Sequence, residues 1–138
     1  MIVREGKSVF KGVAIGKIFV YKKADNAVKK ETVADTAAEM ARFEAAKEKA
    51  LGQLKGLYEK ALKDVGEEEA MIFDVHQMLL DDPDYNDSIK DIIENEKMNA
   101  EYAVFMTSEQ FAAMFLSMDD DYMRGRAADI KDISERVI

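Results

Sequence analysis

The 138-residue sequence has no cysteine, one histidine and one proline. Without cysteine there is neither a disulfide framework nor a thiolate metal site, which fits a reducing, cytoplasmic setting. Basic residues are outnumbered, 20 against 28 acidic ones, for a net charge of −8. No basic patch interrupts that balance, so nucleic acid is not an expected partner. A basic protein surface suits the charge better. No run approaches the roughly 18 apolar residues of a membrane-spanning helix, and 35% charged residues argue against insertion. The opening MIVREGKSVF lacks the apolar stretch and small-residue cleavage site of a secretory signal. What remains is a chain with 48% hydrophobic residues, enough for the core of one domain, or of one domain plus a fragment of another.

The organising stretch is GEEEAMIFDVHQMLLDDP, residues 66–83. Gly66 reads as the stop of a preceding helix in the left-handed conformation that glycine adopts without strain. Glu67, Glu68 and Glu69 then occupy the first turn of a new helix, where carboxylates favour the positive end of the dipole. Ala70, Met71, Ile72, Phe73, Val75, Met78, Leu79 and Leu80 leave it almost no polar side. Such a helix is buried on most sides or keeps apolar surface for a partner. Asp82-Pro83 closes it and opens the next, aspartate as N-cap and proline at the first helical position.

Upstream, residues 8–22 (SVFKGVAIGKIFVYK) are rich in β-branched and aromatic residues and predict one bent strand or a strand pair. No lysine-serine/threonine pair follows Gly16, so Gly12 and Gly16 are not read as a phosphate loop. Residues 23–34 are a polar linker. Thr36-x-x-Glu39 reads as a capping box, opening a helix of about 28–30 residues, roughly 42–45 Å long. Met40, Phe43, Ala50, Leu54, Leu57 and Ala61 form its apolar stripe. Gly52 and Gly56, one turn apart, suggest a close helix approach or a bend. After Pro83, Tyr85, Ile89, Ile92 and Ile93 mark a short helix ending near Lys97. Asn99 is placed to cap a third long helix carrying Ala103, Met106, Phe111, Met114, Phe115 and Met118. Asp119, Asp120 and Asp121 lead into a last helix striped by Met123, Ala127, Ile130, Ile133 and Val137. That stripe is still running at Ile138, which reads as a stop inside a longer polypeptide. The fold class expected is mainly α, a bundle or claw of two helical hairpins preceded by a short β segment.

His76 is the sole candidate for nucleophilic or general-base work. Alone, it cannot form a dyad or a standard zinc site. Asp74 lies about 200° away around the helix, poorly placed to orient the imidazole. A di-iron bundle needs Glu-x-x-His on two helices; position 73 is phenylalanine and no second histidine exists. A surface or interface role is therefore read for His76. The nine methionines are mostly core filler, although Met71 and Met78, seven residues apart, can present a soft face to a partner. The acidic runs at 67–69, 81–82 and 119–121 are helix ends and solvated loops whose company of apolar side chains points to a basic partner.

Three stretches resemble one family: GVAIGKIFVY, IFDVHQMLLDDP and DDDYMRGRAADIKDI are similar to the N-terminal part of enzyme I of the bacterial sugar phosphotransferase system. The resemblance implies a phosphoryl relay from phosphoenolpyruvate to an enzyme I histidine and on to the small carrier HPr. The family's phosphorylated histidine belongs to a Gly-Gly-x-x-Ser-His motif that this chain does not contain, and His76 does not replace it. The phosphoenolpyruvate site, with its magnesium, is likewise absent, so no catalytic residue and no cofactor are assigned here. Residues 1–27 are then a β segment of the α/β phosphohistidine subdomain, and 28–138 a helical HPr-binding domain. The family's docking surface, on helices two to four, carries over to the acidic positions Glu67, Glu68, Asp82 and Asp84. Its contact face carries over to Met71, Asp74, His76, Met78, Leu79, Phe115, Met123 and Arg126. The alternative is a structural bundle that self-associates through residues 8–21, whose strand edges would lack partners.

Overall fold

A computed structural model of the chain describes residues 3, 5–7, 12–13, 15–17, 19–20 and 27–138. The described part holds five helices: α1 (Thr36–Asp64), α2 (Glu67–Leu80), α3 (Pro83–Asn95), α4 (Ala100–Leu116) and α5 (Asp121–Val137). α1 packs chiefly on α2 and α4 chiefly on α5, giving two helical hairpins with α3 laid between them. The mainly α architecture and the long first helix, 29 residues, agree with the apolar spacing.

Helix ends follow local chemistry in some places and tertiary contacts in others. Gly66 has φ 113 and ψ 178. It is in the positive-φ half of the map, as expected, but in the extended region rather than the left-handed helical one. Only glycine tolerates this, and it lets the chain leave α1 and enter α2 across two residues, Val65 and Gly66. At the next corner the Asp82 side chain accepts from the Tyr85 amide at 3.0 Å. The Asn86 amide nitrogen donates back to the carbonyls of Leu80 and Asp82. Lys97, at φ 54, turns the chain out of α3 two residues beyond its end.

Two expected caps are reassigned. The N-cap of α1 is Asp35, whose carboxylate accepts from the Ala38 amide at 2.9 Å. Glu39 instead caps a different helix, accepting from the Ala100 amide at the start of α4 at 2.6 Å. Asn99 precedes α4 but makes no side-chain cap. Its Oδ1 accepts from the Glu31 amide and its Nδ2 donates to the Lys29 carbonyl. The linker thereby lies along residues 97–99, with Val33 donating to the Lys97 carbonyl at 2.8 Å and Asn99 to the Glu31 carbonyl at 2.9 Å. Arg42 spans this junction, bonded to both Glu39 and Glu101. Its hydrogen bonds hold the Glu101 carboxyl down at about 2.

The core is a continuous cluster: Phe43, Ala50 and Leu54 of α1, Leu80 of α2, Tyr85, Ile89, Ile92 and Ile93 of α3, Ala103, Val104, Ala112 and Phe115 of α4, and Ile130 and Ile133 of α5. Tyr85 is fully enclosed, its ring edge-on to Phe111. The Tyr85 hydroxyl meets Ser134 Oγ at 2.7 Å. Gly52 and Gly56 make no close approach, since a Cβ at either would meet nothing within 4 Å. Among the described residues of the expected β segment, 12–13, 15–17 and 19–20 form no strand, and Val13, Ile15, Phe19 and Val20 are exposed. The rest of that expectation, including Phe10, Ile18 and Tyr21, lies outside the described residues. The one β-type pairing in the described part is an isolated antiparallel bridge, Thr32 with Met98.

Candidate functional site

The sides of α2 differ in what they can do. At about 100° per residue, Ala70, Phe73, Gln77 and Leu80 share one side, which carries the core residues Ala70 and Leu80. Met71, Asp74, Val75 and Met78 share a second, and Ile72, His76 and Leu79 a third. The second side is open: Met71 is 47% exposed and Met78 67%. Met78 borders a shallow groove toward α1, lined also by Leu51, Gly52, Lys55, Gln77 and Asp81. Glu67 and Glu68 are exposed at the start of this helix, and Asp84 is exposed in the first turn of α3.

The third side of α2 meets α5. His76, only 9% exposed, has its Nε2 3.3 Å from Asp129 Oδ1. The other oxygen of Asp129 accepts from Arg126 Nη1 at 2.9 Å. Arg126 also donates to the Tyr122 hydroxyl, with its guanidinium 4.3 Å from the centre of that ring, a cation–π distance. Burial opposes the positive charge on Arg126, but its bonds to Asp129 and Tyr122 outweigh this and raise its pKa above the usual value. His76, Asp129, Arg126 and Tyr122 thus form one connected chain of polar contacts between the two helices. Beside them, Met114 and Leu116 at the end of α4 and Tyr122 at the start of α5 expose large apolar surface.

The imidazole has a carboxylate partner, yet no nucleophilic thiol exists and no group of three or more His, Asp or Glu among the described residues is arranged to hold a metal ion. Among the described residues, no helix is long and apolar enough to cross a membrane.

Comparison with known proteins decides the kinship. Residues 5–126 match the family described as PEP-utilising enzyme, N-terminal. The chain belongs to this family. Its similarity to phosphoenolpyruvate-protein phosphotransferase is 44% identity over 133 residues for the Bacillus sp. (strain S) protein, covering 96% of this chain. The Geobacillus stearothermophilus protein gives the same identity and coverage, and that of Listeria monocytogenes is 43% identical over 134 residues, 97% of this chain. The chain spans 23% of the length of each of these relatives. Among solved structures, that of Enzyme I (nEIt) superposes with a TM-score of 0.79 at 34% identity, covering 88% of this chain and 50% of the other. The N-terminal domain of Enzyme 1 - Nitrogen gives 0.75 at 27%, covering 80% and 46%.

In this PEP-utilising family member the residues singled out in the sequence divide into three groups. Glu67, Glu68, Met71, Met78 and Asp84 are exposed. Asp74, Leu79, Met123 and Arg126 are half-buried, and so is Asp82, whose carboxylate is already engaged as the α3 cap. His76 and Phe115 are buried, Phe115 at 8% exposure within the core. The Phe115 ring lies mostly within the core, while its neighbours Met114 and Leu116 are exposed. Asp129 and Tyr122 escaped the sequence reading. The Arg126-x-x-Asp129 spacing of an intrahelical ion pair was the available signal.

Proposed function

We propose that this chain is the HPr-docking part of an enzyme I, positioning the basic carrier for phosphoryl transfer from a histidine that lies elsewhere in the parent enzyme. The observation that carries the reading is α2 itself, whose open side exposes Met71 and Met78 behind the exposed carboxylates Glu67 and Glu68. Soft apolar anchors edged by charge are the anatomy of a specific protein interface. The family membership and the net charge of −8 support the same choice of partner. In this reading residues 28–138 form the docking domain and 1–27 belong to the phosphohistidine subdomain. The parent is a cytoplasmic transferase of sugar uptake, and its magnesium serves the phosphoenolpyruvate site. Contact on α5 comes from Met123, Tyr122 and Arg126, with the partly sheltered His76 edge beside them.

Calorimetric titration with HPr tests this. Binding is expected with one carrier per chain, weakening steadily as salt rises from 0.02 to about 0.5 M, because exposed charges are screened beyond roughly 8–10 Å at 0.1–0.15 M. Heat absent at every salt concentration, with the chain folded, overturns the docking assignment. Self-association through residues 8–21 is the second reading, favoured by the exposed Val13, Ile15, Phe19 and Val20. It predicts a chain-only dimer whose formation leaves the HPr face free.

A further inference from the structure

We infer that Asp129 is a positioning residue for the docking face, acting on HPr through Arg126 and His76 without contacting it; this rests on the HPr-docking reading. Asp129 sits on α5, its side chain 17% exposed, and each of its two oxygens holds a different group of the face. Oδ1 lies 3.3 Å from His76 Nε2 on α2, and Oδ2 accepts from Arg126 Nη1 at 2.9 Å.

Two consequences follow from the chemistry of a carboxylate. It only accepts, so the proton shared with the imidazole sits on Nε2, and the ring has a fixed edge. It also fixes one end of a long, flexible side chain. Arg126 is stacked over Tyr122 at 4.3 Å and bonded to both the Tyr122 hydroxyl and Asp129. The guanidinium is thus held in one orientation before any partner arrives. A side chain immobilised in advance loses less freedom on binding. Asp129 joins α2 to α5 by a polar bond while also holding Arg126, so a single oxygen pair sets the registration of both groups. Asp74, the nearer carboxylate in sequence, is on the other side of α2 and is not in this chain of contacts.

The role differs from that of a structural ion pair in what it couples. A structural pair that merely stabilises the fold changes the melting temperature and leaves HPr affinity, read well below that temperature, unchanged. A positioning residue makes the effects of binding-face substitutions non-additive, because once Arg126 is removed there is nothing left for Asp129 to hold there.

The test is a double-mutant cycle read by HPr affinity and by melting temperature, with Asp129→Asn, Arg126→Ala, the pair, and Asp129→Glu. Asparagine keeps the size and one acceptor but cannot accept strongly from both neighbours. Asp129→Asn should weaken HPr binding about five- to tenfold and do so mainly through the off-rate. In the Arg126→Ala background the same substitution should lose most of that effect. Asp129→Glu should restore part of the affinity, since its carboxylate still accepts from both groups. Should Asp129→Asn lower the melting temperature substantially, the cycle is run well below its transition, and non-additivity still decides the matter. Unchanged affinity in Asp129→Asn, or the same loss with and without Arg126, overturns the inference while leaving the docking reading in place. No HPr binding by the unsubstituted chain overturns the docking reading, and the inference with it.

Discussion

Replacing Tyr85 by alanine is expected to destabilise the fold by about 3–5 kcal/mol, the range for deleting a fully buried aromatic side chain. Tyr85 is completely enclosed, stands edge-on to Phe111 at 5.5 Å between centroids, and lies where α3 meets α4 and α5. Its hydroxyl sharpens the prediction. Ser134 Oγ donates to the Ile130 carbonyl at 2.6 Å, so its single proton is spoken for and the tyrosine is the donor in the 2.7 Å bond between them. Tyr85→Phe then leaves no stranded donor and should cost only about 1 kcal/mol. Ser134→Ala leaves the buried phenol without an acceptor and should cost about 1–3 kcal/mol, less a few tenths for alanine's better helix propensity. The order Tyr85→Ala, then Ser134→Ala, then Tyr85→Phe is checked by urea unfolding. Burial also pushes the Tyr85 pKa up to about 12. A raised pKa means the fold favours the neutral phenol. The stabilisation is whole below the unfolded value near 10 and is lost as pH rises toward 12. Unfolding curves should therefore show the wild type losing on the order of 2 kcal/mol relative to Tyr85→Phe across that window.

The second large effect is on the proposed docking. Met78 projects 67% of its surface into solvent from the open side of α2, where it contributes little to the core. Met78→Ala should leave the melting temperature almost unchanged while raising the HPr off-rate about five- to thirtyfold, the size of a moderate interface anchor. Charge reversal of Glu67 and Glu68 together should act on the other rate. In the proposed docking these exposed carboxylates would steer the encounter rather than anchor the complex. The on-rate should fall about tenfold at low salt, and the difference should largely vanish by about 0.5 M. Stopped-flow association and dissociation kinetics separate the two. Equal effects of both variants on both rates would contradict the division of labour between anchors and charged rim.

The helical layout was legible in the sequence where the signal is local. Asp82-Pro83 marks a cap and a first helical turn, and the structure has α3 beginning at Pro83. Gly66 marks the α1–α2 corner because no other residue holds a φ of 113 without strain. The spacing of Phe43, Ala50 and Leu54 in α1, and of Tyr85, Ile89 and Ile93 in α3, predicts their burial, because each of these helices has one apolar side. α4 defeats the same method. Phe105, Met106, Phe111, Met114, Phe115 and Leu116 surround it, so periodicity does not say which of them face inward. Phe115 is in the core and Leu116 is 59% exposed, one residue apart.

Partners separated along the chain were not legible at all. Glu39 has the spacing of a capping box with Thr36, but its carboxylate is claimed by the Ala100 amide, 61 residues away, and by Arg42. Asn99 has the identity of a cap, yet its amide serves the linker, about 70 residues upstream. Asp129 is 53 residues from His76, and only the packing of α5 on α2 reveals that the lone histidine has a carboxylate partner. The family kinship was legible because three stretches carry uncommon residue combinations in order. The geometry of the candidate site was legible only in part, since side-chain direction on an all-apolar helix depends on what it packs against.

Amide chemical-shift mapping of the isotope-labelled chain, as unlabelled HPr is added at low salt, tests the proposed docking surface most directly. The largest changes are expected at Met71, Asp74 and Met78 on α2, at Met114 and Leu116 on α4, and at Tyr122, Met123 and Arg126 on α5. Residues 29–33 and 97–99, where the linker lies against the α3–α4 turn, should stay unmoved. Changes concentrated at that linker junction, or none anywhere with HPr in excess, would contradict the proposed docking surface.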